Sequence, residues 1–257
     1  MKHPLRTLLL AVCCGLAAAC TQRQERLKLM SYNIRNGIGI DNIQDIGRIA
    51  RVILREAPDL VALQELDSAT LRVDGRYIPG ELGRMTGMHA TFGRAIGFAG
   101  GSYGIGLLSR TEPLAVRSIP LPGREEARVL LMAEFPDYTV CITHLSLTPE
   151  DRLASLPIIR EATDTCRKPV LLAGDFNTGD AAAVLAGLGG GFRILSDTTR
   201  MTFPSDNPAV RIDYILGRGL PTSATVTESA VNHTATASDH CPLWVTLAWK
   251  RGKQPRK

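Results

Sequence analysis

No stretch of the 257-residue sequence is rich in Pro and Ser, and no unit recurs at a fixed period. Linked modules and repeat arrays are thereby excluded, and one domain is expected. No zinc-type pairing exists among the six cysteines, and three of them, Cys13, Cys14 and Cys20, fall in the first twenty residues. The other three, Cys141, Cys166 and Cys241, are odd in number and cannot pair completely. Cys141 lies in an apolar strand pattern and reads as a small buried hydrophobe. Aromatic residues are few, at 5%, beside 44% hydrophobic and 21% charged residues overall. Those fractions are near the averages for globular chains and exclude disorder, collagen and multi-span membrane folds. A domain of this length buries about three quarters of the surface its unfolded chain exposes, so it needs no disulfide framework.

The folded body also lacks a charge excess. The formal charge is +5, but two basic residues (Lys2, Arg6) lie in the first nineteen and five in the last eight. Setting those aside leaves 23 of the 30 basic residues against 25 acidic ones. An enzyme that tracks a long duplex carries a basic face. A near-neutral body disfavours nucleic acid as partner, while leaving a spatially clustered basic patch open. The tail over 250–257 reads as a solvated terminus, with a docking arm as the alternative.

The N-terminus has a basic start and then an apolar run from Leu8 to Ala19. The run is short of the roughly 20 residues of a bilayer-spanning helix. Residues 1–19 therefore read as a secretory signal peptide. Leu16-Ala17-Ala18-Ala19-Cys20 is similar to a bacterial lipobox, which makes Cys20 the lipidated first residue of the mature protein. Cleavage after Ala17-Ala18-Ala19 is the alternative. A lipid-modified Cys20 places at least two chains in a leaflet, enough for stable attachment. The expected location is the cell envelope, or the periplasm or exterior if Cys20 is not modified.

Along the mature chain, Leu27 to Ile34 alternates as a strand, and Asn36-Gly37 breaks it. Asp41-Asn42 is expected to cap a helix with Ile43, Ile46, Ile49 and Ile53 on one face. Leu60 to Glu65 is a short buried strand. Ile105–Ser109, Val129–Phe135, Tyr138–Leu145, Pro169–Ala173, Ile212–Leu216 and Leu243–Trp249 read as further strands. Pro149 opens a helix carrying Leu153, Leu156, Ile159 and Ala162. Gly174-Asp175-Phe176-Asn177 is a turn. Strict βα alternation is absent, so two packed sheets with outer helices are expected rather than a βα barrel.

Polar residues interrupt these apolar strands at their ends: Asn33, Glu65, His144, Asp175, Asn177 and Asp239-His240. Taken singly each has a plain structural reading, as a turn residue, a solvated acid or a satisfied histidine. Asp213 is harder to dismiss, because it interrupts an apolar strand. Converging ends would form a pocket of carboxylates, amides and imidazoles. That inventory suits a hard divalent cation beside a phosphoryl group.

The ordered set Ser31-Tyr32-Asn33-Ile34-Arg35, Leu63-Gln64-Glu65, Gly106-Leu107-Leu108-Ser109-Arg110, Thr143-His144-Leu145, Gly174-Asp175-Phe176-Asn177, Arg211-Ile212-Asp213-Tyr214-Ile215 and Ser238-Asp239-His240-Cys241-Pro242-Leu243 resembles the endonuclease/exonuclease/phosphatase superfamily, the DNase I-like phosphoesterases. It covers residues 27–249. The resemblance implies a four-layer α/β sandwich and a metal-dependent hydrolase of phosphoric esters. It also implies roles. Glu65 is a Mg²⁺ ligand with Asn33 close to the ion, and Asp239 is a second acid near the metal. Asp175 orients or deprotonates water, and Asn177 donates to the phosphate. His240 lies beside the scissile phosphate with Asp213 as its carboxylate partner, and His144 contacts the phosphate. Arg128 matches a phosphate-binding arginine on looser surroundings. Mn²⁺ can replace Mg²⁺ in such an oxygen-rich site.

Fold does not fix the substrate. The neutral body and the envelope anchor favour lipid-like or small phosphoesters over DNA. A surface nuclease and a non-catalytic binding module on the same fold are the alternatives, and the intact residue set argues against the last. The Gly-rich segment Ala95–Tyr103 is expected as a loop, either at the mouth of the site or simply flexible. Oligomeric state is not readable from sequence.

Overall fold

Each central strand is apolar on both faces, and this decides the architecture. A computed structural model describes residues 24–250. The first sheet contains β1 (Gln24–Asn33), β2 (Leu60–Ser68), β3 (His89–Phe98), β4 (Gly101–Ser109), β11 (Thr225–Val231) and β12 (Leu243–Lys250). Its order is β11-β12-β1-β2-β4-β3. The second sheet contains β5 (Ala115–Leu121), β6 (Arg128–Glu134), β7 (Thr139–His144), β8 (Val170–Asp175), β9 (Arg193–Ile194) and β10 (Asp213–Arg218), ordered β5-β6-β7-β8-β10-β9.

The two sheets pack face to face. Leu27 and Leu29 of β1, Val140 and Ile142 of β7, Leu171 and Ala173 of β8, and Val245 of β12 meet in the layer between them. The alternate residues point outward. Met30 and Tyr32 pack under α1 (Ile46–Glu56) and α2 (Ile78–Thr86). Cys141, Val170 and Leu172 pack under α3 (Pro149–Asp164) and α4 (Ala181–Leu188). The result is the helix–sheet–sheet–helix sandwich of the DNase I-like fold. A strand buried on both faces reads as a near-continuous apolar run, which is why these strands are legible.

The inner-face series carry polar residues at one end of the sandwich. Asn33 follows Leu27, Leu29 and Ser31; His144 follows Val140 and Ile142; Asp175 follows Leu171 and Ala173. In β10, Asp213 precedes Ile215 on that face. Asp175 pairs with His144 in the parallel β7–β8 ladder and with Asp213 in the antiparallel β8–β10 ladder. Three chemical side chains thus stand in one row across adjacent strands. Gly174 makes the row possible: its φ is 157°, and a Cβ there would lie 2.0 Å from the Thr143 carbonyl oxygen.

Several sequence expectations are corrected. Asp45, not Asp41-Asn42, caps α1, accepting from the Arg48 backbone N–H at 3.2 Å. Asp41 instead closes a local turn onto the Ile43 N–H, so Ile43 lies before the helix and is exposed. Leu153 is also exposed, because the buried stripe of α3 runs through Leu156 and Ile159. Gly174 and Asp175 belong to β8, and the turn starts after them. The segment from Ala95 to Tyr103 is no flexible loop but the tight hairpin joining β3 and β4. The three cysteines of the described chain are free, with Cys141 fully buried. Residues 1–19, Cys20 and the tail beyond Lys250 lie outside the described residues. Among the described residues no helix is long and apolar enough to cross a membrane.

Candidate active site

Glu65 reaches the cleft through a defect in β2. Val61 and Leu63 face the outer helices, and strict alternation would send Glu65 after them. The register with β4 shifts between Leu63 and Leu66, and Glu65 takes φ 57°. A bulge of this kind re-aims one side chain and restores the rest. Leu66 accordingly returns to the outer core, and Glu65 turns toward Asn33. A left-handed glutamate costs about 1–3 kcal/mol, a strain that the ladder on either side must hold.

Asn33 ties the two sheets together. Its Nδ2 donates to Glu65 Oε1 at 3.0 Å and to Asp175 Oδ2 at 3.1 Å, while its Oδ1 accepts from the Arg35 backbone N–H at 3.1 Å. Ser238 Oγ donates to the Asn33 carbonyl at 2.7 Å and thereby brings in the loop before β12. That loop supplies His240, whose Nδ1 lies 3.0 Å from Asp213 Oδ2 and whose Nε2 lies 3.7 Å from Asp175 Oδ2. The Phe203 ring packs on the imidazole, with centroids 4.8 Å apart.

The histidines are in opposite states. Burial opposes charge on His240, but Asp213, Asp175 and Asp239 outweigh it and push its pKa up to about 10. Burial likewise opposes charge on His144, and Arg128 and His240 reinforce that effect, so His144 titrates well below the ordinary range. Its tautomer follows from its partner. Arg128 Nη1 lies 3.3 Å from His144 Nδ1, and a guanidinium can only donate. Nδ1 therefore accepts, and the proton is on Nε2, 3.6 Å from Asp175 Oδ2. One oxygen of Asp175 thus faces Asn33, a neutral His144 and a protonated His240. Burial and the nearby Asp213 raise the Asp175 pKa, against the charge of His240 and the bonds from Asn177 and Asn33.

Asn177 is in the left-handed region, at φ 51°. Its backbone N–H donates to Asp175 Oδ1 at 2.8 Å, and its Nδ2 braces the Leu145 carbonyl at 2.8 Å. Asp239 lies on the rim, half-buried, 3.4 Å from Arg35 Nε. Asn33, Glu65, His144, Asp175, Asp213 and His240 are thus brought together, Arg128 stands behind His144, and Asn177 and Asp239 flank the group.

Sequence reasoning missed the support of Arg128. Glu125 accepts from Ser146 Oγ at 2.7 Å, Leu147 N–H at 2.7 Å, Thr148 Oγ1 at 3.2 Å and Arg128 Nη2 at 3.3 Å. Burial opposes its charge, yet these bonds prevail and hold its pKa at about 2. Glu126 holds Arg128 Nη1 at 2.9 Å. The only sequence signal was the charge pattern Arg124-Glu125-Glu126-Ala127-Arg128, which reads equally as a solvated loop.

Asp175, Asp213 and His240 each present a ligand atom within 4.8 Å of the others. Asp213 and His240 are already bonded to each other, so that trio is better read as a histidine–aspartate pair beside an acid. The oxygen donors Glu65 and Asp239, with Asn33 between the walls, fit a hard divalent cation. Four carboxylates (Glu65, Asp175, Asp213, Asp239) face two nearby cations, His240 and Arg35, which leaves negative charge for such an ion to balance.

A sequence profile of the Endonuclease/Exonuclease/phosphatase family matches residues 30–240. No curated protein matches the sequence. Solved structures share the fold. An endonuclease/exonuclease/phosphatase from Bacteroides vulgatus is 20% identical with TM-score 0.71, covering 88% of this chain and 99% of its own. A mannosyl-6-phosphatase from Bacteroides thetaiotaomicron is 19% identical with TM-score 0.68, covering 86% and 99%. TDP2 of D. rerio, solved with a single-strand DNA product, is 22% identical with TM-score 0.65, covering 86% and 98%.

Proposed function

This chain belongs to the endonuclease/exonuclease/phosphatase family, and on that premise we propose an exported, Mg²⁺-dependent phosphoesterase. It hydrolyses small or lipid-like phosphoesters by in-line attack of water. The observation that carries the reading is the buried Asp175 oxygen set among Asn33, neutral His144 and protonated His240.

Asp175, whose pKa burial and Asp213 raise above the ordinary carboxylate range, is suited to take a proton from water. His240 is kept charged by Asp213 and offers Nε2–H to a phosphoryl oxygen as negative charge grows. Its Nε2 lies 3.7 Å from Asp175 Oδ2, so the donor and the base stand side by side. His144 offers a neutral Nε2–H whose orientation Arg128 fixes. Asn33 spans the two walls through its bond to Asp175, and Glu65 holds Asn33 from its own wall. Glu65 and Asp239 would hold Mg²⁺, which would supply a Lewis acid for the charge that develops on the phosphoryl group.

The purified full chain with Mg²⁺ should hydrolyse bis(p-nitrophenyl) phosphate or release headgroups from phospholipid vesicles, and EDTA should stop it. Nicking of plasmid DNA with neither of those activities would move the substrate to nucleic acid. No turnover on all three would leave a binding module. Envelope anchorage belongs to the same proposal and rests on residues 16–20. Labelled palmitate should enter the protein in a bacterial host and be lost in Cys20→Ser; equal labelling of the variant overturns the anchor.

A further inference from the structure

Beside the Glu65 bulge, an arginine is fastened by two hydrogen bonds. Arg72 Nε donates to Asp67 Oδ2 at 2.7 Å, and its Nη2 donates to Asn36 Oδ1 at 2.7 Å. Asp67 is fully buried and is also held by Thr70 Oγ1 at 3.0 Å. The fixed guanidinium lies over the ring of Phe98, 4.5 Å from its centroid, and over that of Tyr103 at 5.1 Å. Tyr103 is buried, whereas Phe98 is 40% exposed and its neighbour Leu71 is 77% exposed. The Leu71 backbone is tied to this hairpin, because its N–H donates to the Ala99 carbonyl at 2.8 Å. Gly101 lets the β3–β4 hairpin lie this close, since a Cβ there would meet the Ala69 carbonyl at 2.4 Å.

The shelf communicates with the chemistry. Tyr103 pairs with Asp67, two residues beyond Glu65. Tyr103, Glu126, Arg128 and His144 line one crevice, and the Phe98 ring lies next to that of Tyr103, 6.3 Å away between ring centroids. A single exposed phenylalanine calls for no explanation. A phenylalanine backed by an immobilised cation is a preorganised surface. Its ordering entropy is lost on folding, so a flat group laid on it incurs little further cost.

We propose that Phe98, backed by Arg72 and flanked by Leu71, is the subsite for a planar ring on the substrate, next to the scissile phosphate. This deepens the phosphoesterase reading and rests on it. The shelf is two side chains wide with no walls, so it suits a ring that stacks and not an alkyl chain that needs a channel.

Non-hydrolysable phosphonates test the shelf without turnover. The full chain with Mg²⁺ is titrated with phenylphosphonate, hexylphosphonate and methylphosphonate in a calorimeter. Phenylphosphonate should bind about tenfold tighter than methylphosphonate, and hexylphosphonate should show no such gain. Phe98→Ala should abolish the gain, and Phe98→Trp should keep it. A gain for hexylphosphonate equal to that for phenylphosphonate, or a phenyl gain that survives in Phe98→Ala, overturns the proposal. Thymidine 5′-methylphosphonate separates two sources of a ring: tighter binding than phenylphosphonate indicates a nucleobase, weaker binding a simple aryl group. Failure of the phosphoesterase reading is seen separately, as absent hydrolysis of bis(p-nitrophenyl) phosphate.

Discussion

The wall of the cleft built by β7, β8 and β10 is buried and closed on itself, whereas the wall built by β1, β2 and the loop before β12 is half-open and strained. His144, Asp175 and Asp213 stand in one register row, nearly inaccessible, and each has a partner within the protein. Across from them Glu65 sits on a bulge at φ 57°, and Asp239 is held by the rim Arg35 at 3.4 Å and by the Ser238 hydroxyl at 3.3 Å. The first wall is preorganised by its own hydrogen bonds. The second presents oxygen atoms whose charge the protein leaves partly unbalanced. On the proposed reading the buried wall handles protons and the open one binds the cation, because a low dielectric sharpens pKa shifts and an accessible carboxylate can exchange a metal.

Substitutions can break this contrast or sharpen it. The largest effect is expected where the two walls meet: Asp175→Asn on the buried wall and His240→Ala, at the residue that reaches Asp175 from the loop before β12, should each lower kcat by about 10²–10⁴-fold. Asp175→Asn should do so without lowering the melting temperature, because burial already disfavours the carboxylate it removes. A parallel loss of folding would recast Asp175 as structural. On the open wall, Glu65→Gln should raise the Mg²⁺ concentration for half-maximal activity by at least about tenfold, the scale of perturbed metal shells. An unchanged Mg²⁺ titration would remove Glu65 from the metal site.

Glu125 tests how far the buried wall depends on its support. Its pKa falls from 4.5 in the unfolded chain to about 2 in the fold. The stabilisation is complete above pH 4.5 and is lost as pH falls through 4.5 toward 2. Melting temperature against pH should therefore drop over that window in the parent and stay flatter in Glu125→Gln, which should be about 1–3 kcal/mol less stable at neutral pH. The smallest effect is expected at the rim. Arg35→Gln breaks only the partly exposed pair with Asp239 and should cost less than about 1 kcal/mol, with kcat within a few-fold of the parent.

The central strands were legible because burial on both faces writes them as apolar runs, as in Leu60–Leu63 and Val170–Ala173. The elements that sequence reading passed over lie at edges and on the surface. β3, β5 and β11 have mixed, half-exposed patterns, and α2 has glycine within it and no side-chain cap. α1 began four residues late because Asp41 and Asp45 are equally good caps in sequence, and only packing of Ile46 and Ile49 chose between them. Asn33, His144, Asp175, Asp213 and His240 stood out as polar interruptions in apolar strands. Glu125 and Arg72 did not, since a charged residue in a charged loop carries no local sign of burial.

By itself the sequence determined which strands are central, where their polar ends lie, and the family to which the chain belongs. These are local properties, written in residue type and in a period of two. Only the tertiary structure decided that Asp175 pairs between His144 and Asp213, that a bulge turns Glu65 inward, which nitrogen of His144 carries its proton, and that Arg72 is pinned under Phe98. Each of these depends on residues up to about two hundred positions apart coming within hydrogen-bond reach, as Asn33 and Ser238 do at 2.7 Å. Periodicity along a chain holds no information about such register between strands.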